Sequence, residues 1–205
     1  KPAAPAIVDV LRNVLASTGD KLASLIGRER AATYLREDAR FGAHLLLARL
    51  KRQGHQVIAN YAGNEEKAQA FTAATGIPAY RWDVGDHEAT LEGCARVEAE
   101  YGPIDIVINN AGITRDGTLH RMSFEDWNEV MRINLGGCFN MAKAAFPGMR
   151  ERGWGRIVNI GSINGQAGQY GQVNYASAKS GIHGFTKALA QEGAKFGVTV
   201  NAIAP

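Results

Sequence analysis

The chain has only two cysteines in 205 residues, Cys94 and Cys138, far apart and without metal-ligand spacing. That leaves no room for a disulfide framework or a thiolate metal cluster, and a reduced, cytosolic compartment is expected. No apolar run approaches the ~18 residues of a membrane span. The opening residues carry no charged-then-apolar leader pattern. Long Lys/Arg runs are missing too. With 23 basic against 20 acidic residues the net charge is +3, which reads as a mixed solvated surface and excludes a nucleic-acid tract. None of the five histidines (His44, His55, His87, His120 and His183) has the spacing of a ligand pair. No metal is therefore expected, and these read as surface or helix residues. The three tryptophans read as packing residues, and there is no internal repeat or low-complexity tract.

What is there is a regular alternation. Hydrophobic residues make up 45% and charged residues 21% of the chain, as in ordinary globular proteins. The length suits one α/β domain, or one domain plus an appendage. Residues 56–61 (QVIANY), 79–84 (AYRWDV), 104–109 (IDIVIN), 156–160 and 198–203 read as short strands. Residues 64–74, 86–101, 123–150 and 173–195 read as helices. Asp86 is a plausible N-cap, and Ser123 with Asp126 three residues on comes close to a capping box. Pro147 is expected to kink or end the third helix. Strands alternating with helices of ten or more residues argue for βαβ units. The expected fold is α/β, a Rossmann-like doubly wound parallel sheet over residues 41–205, incomplete at both ends. Residues 1–40 do not fit this plan. Ile7, Val8, Leu11, Val14 and Leu15 have helical spacing, so this segment is expected to be helical and atypical.

In sheets of this kind ligands lie outside the carboxyl ends of the strands. After Ile108 comes Asn109-Asn110-Ala111-Gly112, a small turn that lets a flat ligand approach the backbone. After Ile160 comes Gly161-Ser162, and the next helix carries Tyr175 and Lys179. A spacing of four places both side chains on one helix face. The thirteen residues from Ser162 to Tyr175 are enough for a loop that returns the serine over the phenol. Each piece alone is cheap: a Tyr-x-x-x-Lys pair also decorates helix surfaces, and a turn after a strand needs no ligand.

The set in this order, Asn109-Asn110-Ala111-Gly112, then Asn134, Ser162, Tyr175 and Lys179, resembles the short-chain dehydrogenase/reductase family from about Ala43 to Pro205. Reducing a ketone by hydride transfer builds negative charge on the carbonyl oxygen, which needs a proton donor. Tyr175 suits that role, with the Lys179 charge nearby favouring phenolate. The resemblance implies that Lys179 also binds the nicotinamide ribose, that Ser162 hydrogen-bonds the substrate carbonyl, and that Asn134 holds a water in a proton relay. It further implies cofactor contacts from Asn110, Ala111, Gly112 and Asp83, the last to the adenine. An acid ending the second strand would bind the ribose 2′-OH of NAD. Asn60 stands there and no carboxylate occurs before Glu65, so the expected cofactor is NADPH. The stretch 165–172 (GQAGQYGQ) looks like that of acetoacetyl-CoA reductases, where Asp116, Gln169, Tyr170 and Gln172 match substrate contacts. The implied reaction is reduction of acetoacetyl-CoA to 3-hydroxybutyryl-CoA, as in polyhydroxybutyrate synthesis, by a cytoplasmic homotetramer. Two alternatives stay open: a 3-oxoacyl-[acyl-carrier-protein] reductase, and a catalytically impaired fragment or binding module.

One part departs from the family. A Thr-Gly-x-x-x-Gly-x-Gly turn should precede the helix containing residues 43–52 and cradle the pyrophosphate. Only Gly42 stands in a matching place, and Glu37 and Asp38 are electrostatically wrong for a phosphate. Weak or absent NADPH binding is therefore expected of the 205-residue chain. Codons permitted for residues 34–41, read one base later, can encode Thr-Cys-Gly-Arg-Thr-Arg-Gly-Ser, which resembles the missing loop. Resequencing the DNA there tests for a frame shift.

Overall fold

A computed structural model describes residues 47–48 and 50–205. The expectations for residues 1–40, for Gly42 and for the missing glycine-rich turn lie outside these residues. Two compact units divide between Tyr80 and Arg81.

In the first unit a helical stretch that includes residues 50–52 closes at Gly54, whose φ of +87° suits glycine. Strand β1 (Ala59–Tyr61) pairs with β2 (Ala79–Arg81), and helix α1 (Glu65–Thr75) connects them. Asn64 caps α1, its side chain accepting from the Lys67 N–H at 2.8 Å, and Glu65 and Glu66 place negative charge in the first turn. Both strands are shorter than the sequence pattern predicts.

The second unit carries the chemistry. Helix α2 (His87–Tyr101) is capped by Asp86, as predicted, through the Ala89 N–H. Strands β3 (Ile106–Asn109), β4 (Gly155–Ile160) and β5 (Val198–Ile203) form a parallel sheet in the order β3-β4-β5. Register runs from Ile106 opposite Arg156 to Asn109 opposite Asn159, and from Gly155 opposite Val198 to Ile160 opposite Ile203. Ile157, Val158 and Asn159 are consecutive and all buried. Successive side chains point to opposite faces, so β4 is covered on both.

Two helices supply cover. Helix α4 (Gly137–Arg152) buries Ala142, Ala145 and Met149 in a cluster with Val107, Ile157, Val198 and Val200. Phe185 and Leu189 of helix α6 (Val173–Ala194) pack against the same cluster. Burying one side chain such as Ile157 contributes roughly 1.5–3 kcal/mol. Within the sheet, Asn109 Nδ2 donates to Asn159 Oδ1 at 2.8 Å, and Asn159 Nδ2 donates to Thr186 Oγ1 at 2.9 Å. This buried polar run ties β3, β4 and α6 together at the carboxyl ends of the strands.

The stretch predicted as one helix over residues 123–150 is three pieces. Helix α3 (Phe124–Val130) is capped by Ser123, which accepts from the Asp126 N–H at 3.0 Å and donates to its carboxylate at 2.7 Å. A π-helical turn follows over Met131–Gly136, and α4 continues from it. Pro147 neither ends α4 nor marks its stop. The helix runs on to Arg152 and ends at Gly153, left-handed at φ +67°. A proline without an N–H forfeits one carbonyl partner, and burial of Ala145 and Met149 on either side keeps the helix packed against the sheet.

Candidate active site

The carboxyl ends of β3 and β4 and the start of α6 meet where the sequence predicts chemistry. Lys179 is 4% exposed. Its ammonium donates to the Ile160 carbonyl at 2.7 Å, two residues before Ser162. It also lies 5.6 Å from the Tyr175 ring centroid, one helical turn back. Burial pushes the Lys179 ammonium below its ordinary range, opposed by the nearby Cys138 thiol. Burial pushes that thiol up to about 11, against the pull of Lys179. Cys138 is therefore an inert thiol at neutral pH, and its Sγ donates to the Asn134 carbonyl at 3.3 Å.

Asn134 is fully buried in the π turn. Its Oδ1 accepts from the Ile113 N–H at 2.8 Å, and its Nδ2 donates to the Ile113 carbonyl at 3.0 Å. This two-pronged grip fixes the loop after β3. A Cβ on Gly112 would stand 3.3 Å from Asn134 Oδ1 and 3.6 Å from Lys179 Nζ. Gly112 therefore brings the exposed Asn110-Ala111-Gly112 backbone beside the buried lysine. Asn134→Ala would leave both Ile113 backbone groups without their partner. We expect a stability loss of about 2–4 kcal/mol, read by urea unfolding.

Ser162 is half-buried, and its Oγ accepts from the Asn164 N–H at 3.2 Å. A short helix, α5 (Asn164–Ala167), lies against α6, which the sequence pattern did not predict. A Cβ on Gly165 would fall 2.7 Å from the Lys179 carbonyl carbon and 2.8 Å from the Ser180 nitrogen. These are backbone atoms of α6 and cannot move aside cheaply. Gly165→Ala is expected to cost about 1–3 kcal/mol, seen as a lower thermal midpoint.

Among the expected substrate residues, Asp116 and Gln172 come together: Gln172 Nε2 donates to Asp116 Oδ2 at 3.0 Å. The Gly117 N–H donates to the Gly171 carbonyl at 2.8 Å alongside. Gln169 is exposed and Tyr170 is 86% exposed, so neither is drawn into this cluster. Asp83 is held by one near and one distant partner. Its Oδ1 accepts from the Gly85 N–H at 2.8 Å, and its Oδ2 pairs with Arg132 at 2.7 Å. In the first unit, Asn60 lies inside β1 rather than at its end, and its Nδ2 is 3.4 Å from the Tyr80 carbonyl. The Glu65 carboxylate accepts from the Tyr61 hydroxyl at 2.6 Å.

Two asparagines escaped the sequence reading. Asn174 is fully buried. Its Nδ2 donates to the Arg115 carbonyl at 2.9 Å and its Oδ1 accepts from the Tyr175 N–H at 2.7 Å. It fixes the loop carrying Asp116 to the turn carrying Tyr175, and its place next to the tyrosine was the available signal. Asn164 is the other. A cavity of about 420 Å³ lies along α6 and β5, lined by His183, Thr186, Lys187, Val200 and Asn201 among others. None of the predicted site residues lines it.

Comparison with known proteins decides what this arrangement belongs to. Residues 23–205 match the short chain dehydrogenase family. The chain belongs to that family. A short-chain dehydrogenase is an oxidoreductase that works with a nicotinamide cofactor, and no helix among the described residues is long and apolar enough to cross a membrane. Relatives of this short-chain dehydrogenase include an acetoacetyl-CoA reductase of Rhizobium meliloti, 60% identical over 164 residues, which are 80% of this chain and 68% of the relative. An acetoacetyl-CoA reductase of Cupriavidus necator is 46% identical over 162 residues, 77% of this chain and 66% of the relative. A 3-oxoacyl-[acyl-carrier-protein] reductase of Escherichia coli is 41% identical over 180 residues, 88% and 68% of the two chains.

The residues present in the second unit fit a nicotinamide ribose. Lys179 carries three N–H donors and uses one on Ile160. The exposed Asn110-Ala111-Gly112 backbone beside it offers a surface that a flat ring can approach.

Proposed function

We propose that this chain is an NADPH-dependent 3-ketoacyl-thioester reductase, converting acetoacetyl-CoA to 3-hydroxybutyryl-CoA. The observation that carries the reading is the buried Lys179 ammonium, held between the Ile160 carbonyl and the Tyr175 ring. The bound cofactor supplies the hydride. Tyr175 gives its phenolic proton to the carbonyl oxygen as charge builds there. Lys179 stabilises the resulting phenolate and binds the ribose, with one ammonium donor already fixed on Ile160. Ser162 donates its hydroxyl hydrogen to the same carbonyl oxygen, since its lone pair already receives the Asn164 N–H. Lys179 returns a proton to the phenolate, and Asn134 anchors the water that resupplies Lys179 from solvent.

Cofactor choice rests on the absence of an acid in β1 and on Glu65 being engaged by Tyr61. Asp83 contacts the adenine, and Gly42 is a further cofactor contact. Asp116, Gln169, Tyr170 and Gln172 contact the acyl thioester. The 60% identity to a reductase named for acetoacetyl-CoA supports CoA as the carrier. The 41% identity to the acyl-carrier-protein enzyme supports that carrier as the second reading. The enzyme is taken to work in the cytoplasm as a homotetramer.

The test is decay of nicotinamide absorbance with acetoacetyl-CoA, run with NADPH and NADH in parallel on the full gene product. Turnover favouring NADPH supports the reading, and no turnover with either cofactor removes it. A thermal-shift titration of the 205-residue chain with NADPH reports separately on cofactor binding.

A further inference from the structure

We infer that Asn164 is a positioning residue that orients Gln172 for substrate while fixing the polarity of the Ser162 hydroxyl. The inference rests on the ketoacyl-thioester reading and adds to it a residue outside the catalytic set.

Asn164 touches both sides of the proposed substrate site. Its backbone N–H donates to Ser162 Oγ at 3.2 Å. Its Nδ2 donates to Gln172 Oε1 at 2.9 Å, and Gln172 Nε2 donates to Asp116 Oδ2 at 3.0 Å. The direction of this run is set by chemistry. An ionised carboxylate can only accept. Gln172 must therefore turn its NH₂ toward Asp116 and its carbonyl toward Asn164. Asn164 must in turn present its own NH₂. The Gly117 N–H, donating to the Gly171 carbonyl at 2.8 Å, straps the two loops together beside it.

The serine end follows the same logic. A hydroxyl that accepts from a backbone N–H keeps its hydrogen for another acceptor. A substrate carbonyl oxygen is such an acceptor. Asn164 thus presents Ser162 as a donor and Gln172 in a single amide orientation. The ligand it organises is the polar part of a 3-ketoacyl thioester, and no bond to Asn164 forms or breaks.

The test is a donor–acceptor inversion in the full gene product. Asn164→Asp keeps the size and the backbone N–H but sets a carboxylate against Gln172 Oε1. KM for acetoacetyl-CoA is expected to rise about ten-fold, with kcat held within about two-fold. Asn164→Asp combined with Asp116→Asn reverses every donor, so the Gln172 amide can flip and close the run again. In the Asp116→Asn background the Asn164→Asp penalty is then expected to fall below about two-fold. The NADPH dissociation constant, followed by nicotinamide fluorescence, is expected to stay unchanged throughout. If the penalty is the same in both backgrounds, or KM does not move, the positioning role is wrong. Should Asn164→Asp fail to fold by thermal melt, Asn164→Ala replaces it. Loss of the donor alone is expected to raise KM about three-fold, and an unchanged KM overturns the role. A parent enzyme that turns over neither acetoacetyl-CoA nor an acyl-carrier-protein thioester defeats the functional reading first and takes this inference with it. A working parent with additive penalties defeats only the inference.

Discussion

Tyr175→Phe is expected to lower kcat/KM for acetoacetyl-CoA by about a thousand-fold, or about 4 kcal/mol of transition-state stabilisation. The change removes one oxygen from a half-buried ring. Stability is therefore expected to stay within about 0.5 kcal/mol of the parent. KM and the NADPH dissociation constant should change little, because the phenol acts on charge that exists only in the transition state. Steady-state kinetics beside a thermal melt separate the two effects. Loss of activity together with unfolding would instead mean that Tyr175 holds the fold, and activity within ten-fold of the parent would remove it as the acid.

Lys179→Met gives the second large effect, in opposite directions for activity and stability. Activity is expected to fall about 100- to 1,000-fold, since phenolate stabilisation and proton resupply go together. Stability at pH 7 is expected to rise by about 1 kcal/mol. Burying an ammonium costs several kcal/mol, and the hydrogen bond lost to Ile160 returns only about 1 kcal/mol. The sign with pH follows from the depressed folded pKa. Below that value both states hold the proton and the burial penalty is fully present. Between it and the unfolded value near ~10.4 the folded lysine has lost its proton while the unfolded chain keeps it. The parent therefore gains stability as pH rises through this window, and the gap to Lys179→Met narrows. Chemical denaturation at pH 7 and at alkaline pH reads both quantities. A gap that does not shrink would mean that Lys179 titrates as an exposed lysine.

Most of the second unit was legible in the sequence because its signals are local. Asp86 and Ser123 cap the helices they were expected to cap, through side-chain oxygens three residues from the N–H groups they satisfy. β5 has the predicted limits, β4 gains one residue at its start and β3 loses two at its own. The four-residue spacing of Tyr175 and Lys179 does bring ammonium and ring together. What escaped depends on distant partners. Pro147 was expected to kink or end the helix, yet the helix runs on to Arg152 with Ala145 and Met149 packed in the core, and no local rule contains that packing. The π turn has no composition of its own. The grips of Asn134 on Ile113 and Asn174 on Arg115 join residues 21 and 59 positions apart, and a single sequence gives no sign of such pairs. Asn164 gave no signal because its side-chain partner, Gln172, becomes a neighbour only once the loop closes.

The turn over Met131–Gly136 also bears on which length changes this helix tolerates. A π turn accommodates one residue more than an α turn. Deleting one residue between 131 and 136 would let the helix relax to ordinary spacing. Everything beyond the deletion would keep its facing, because an α turn closes on one residue fewer, so Ala142, Ala145 and Met149 would stay on the sheet. The bulge that presents Asn134 to Ile113 is what would be lost. The core therefore tolerates a one-residue deletion here, and the loop grip does not.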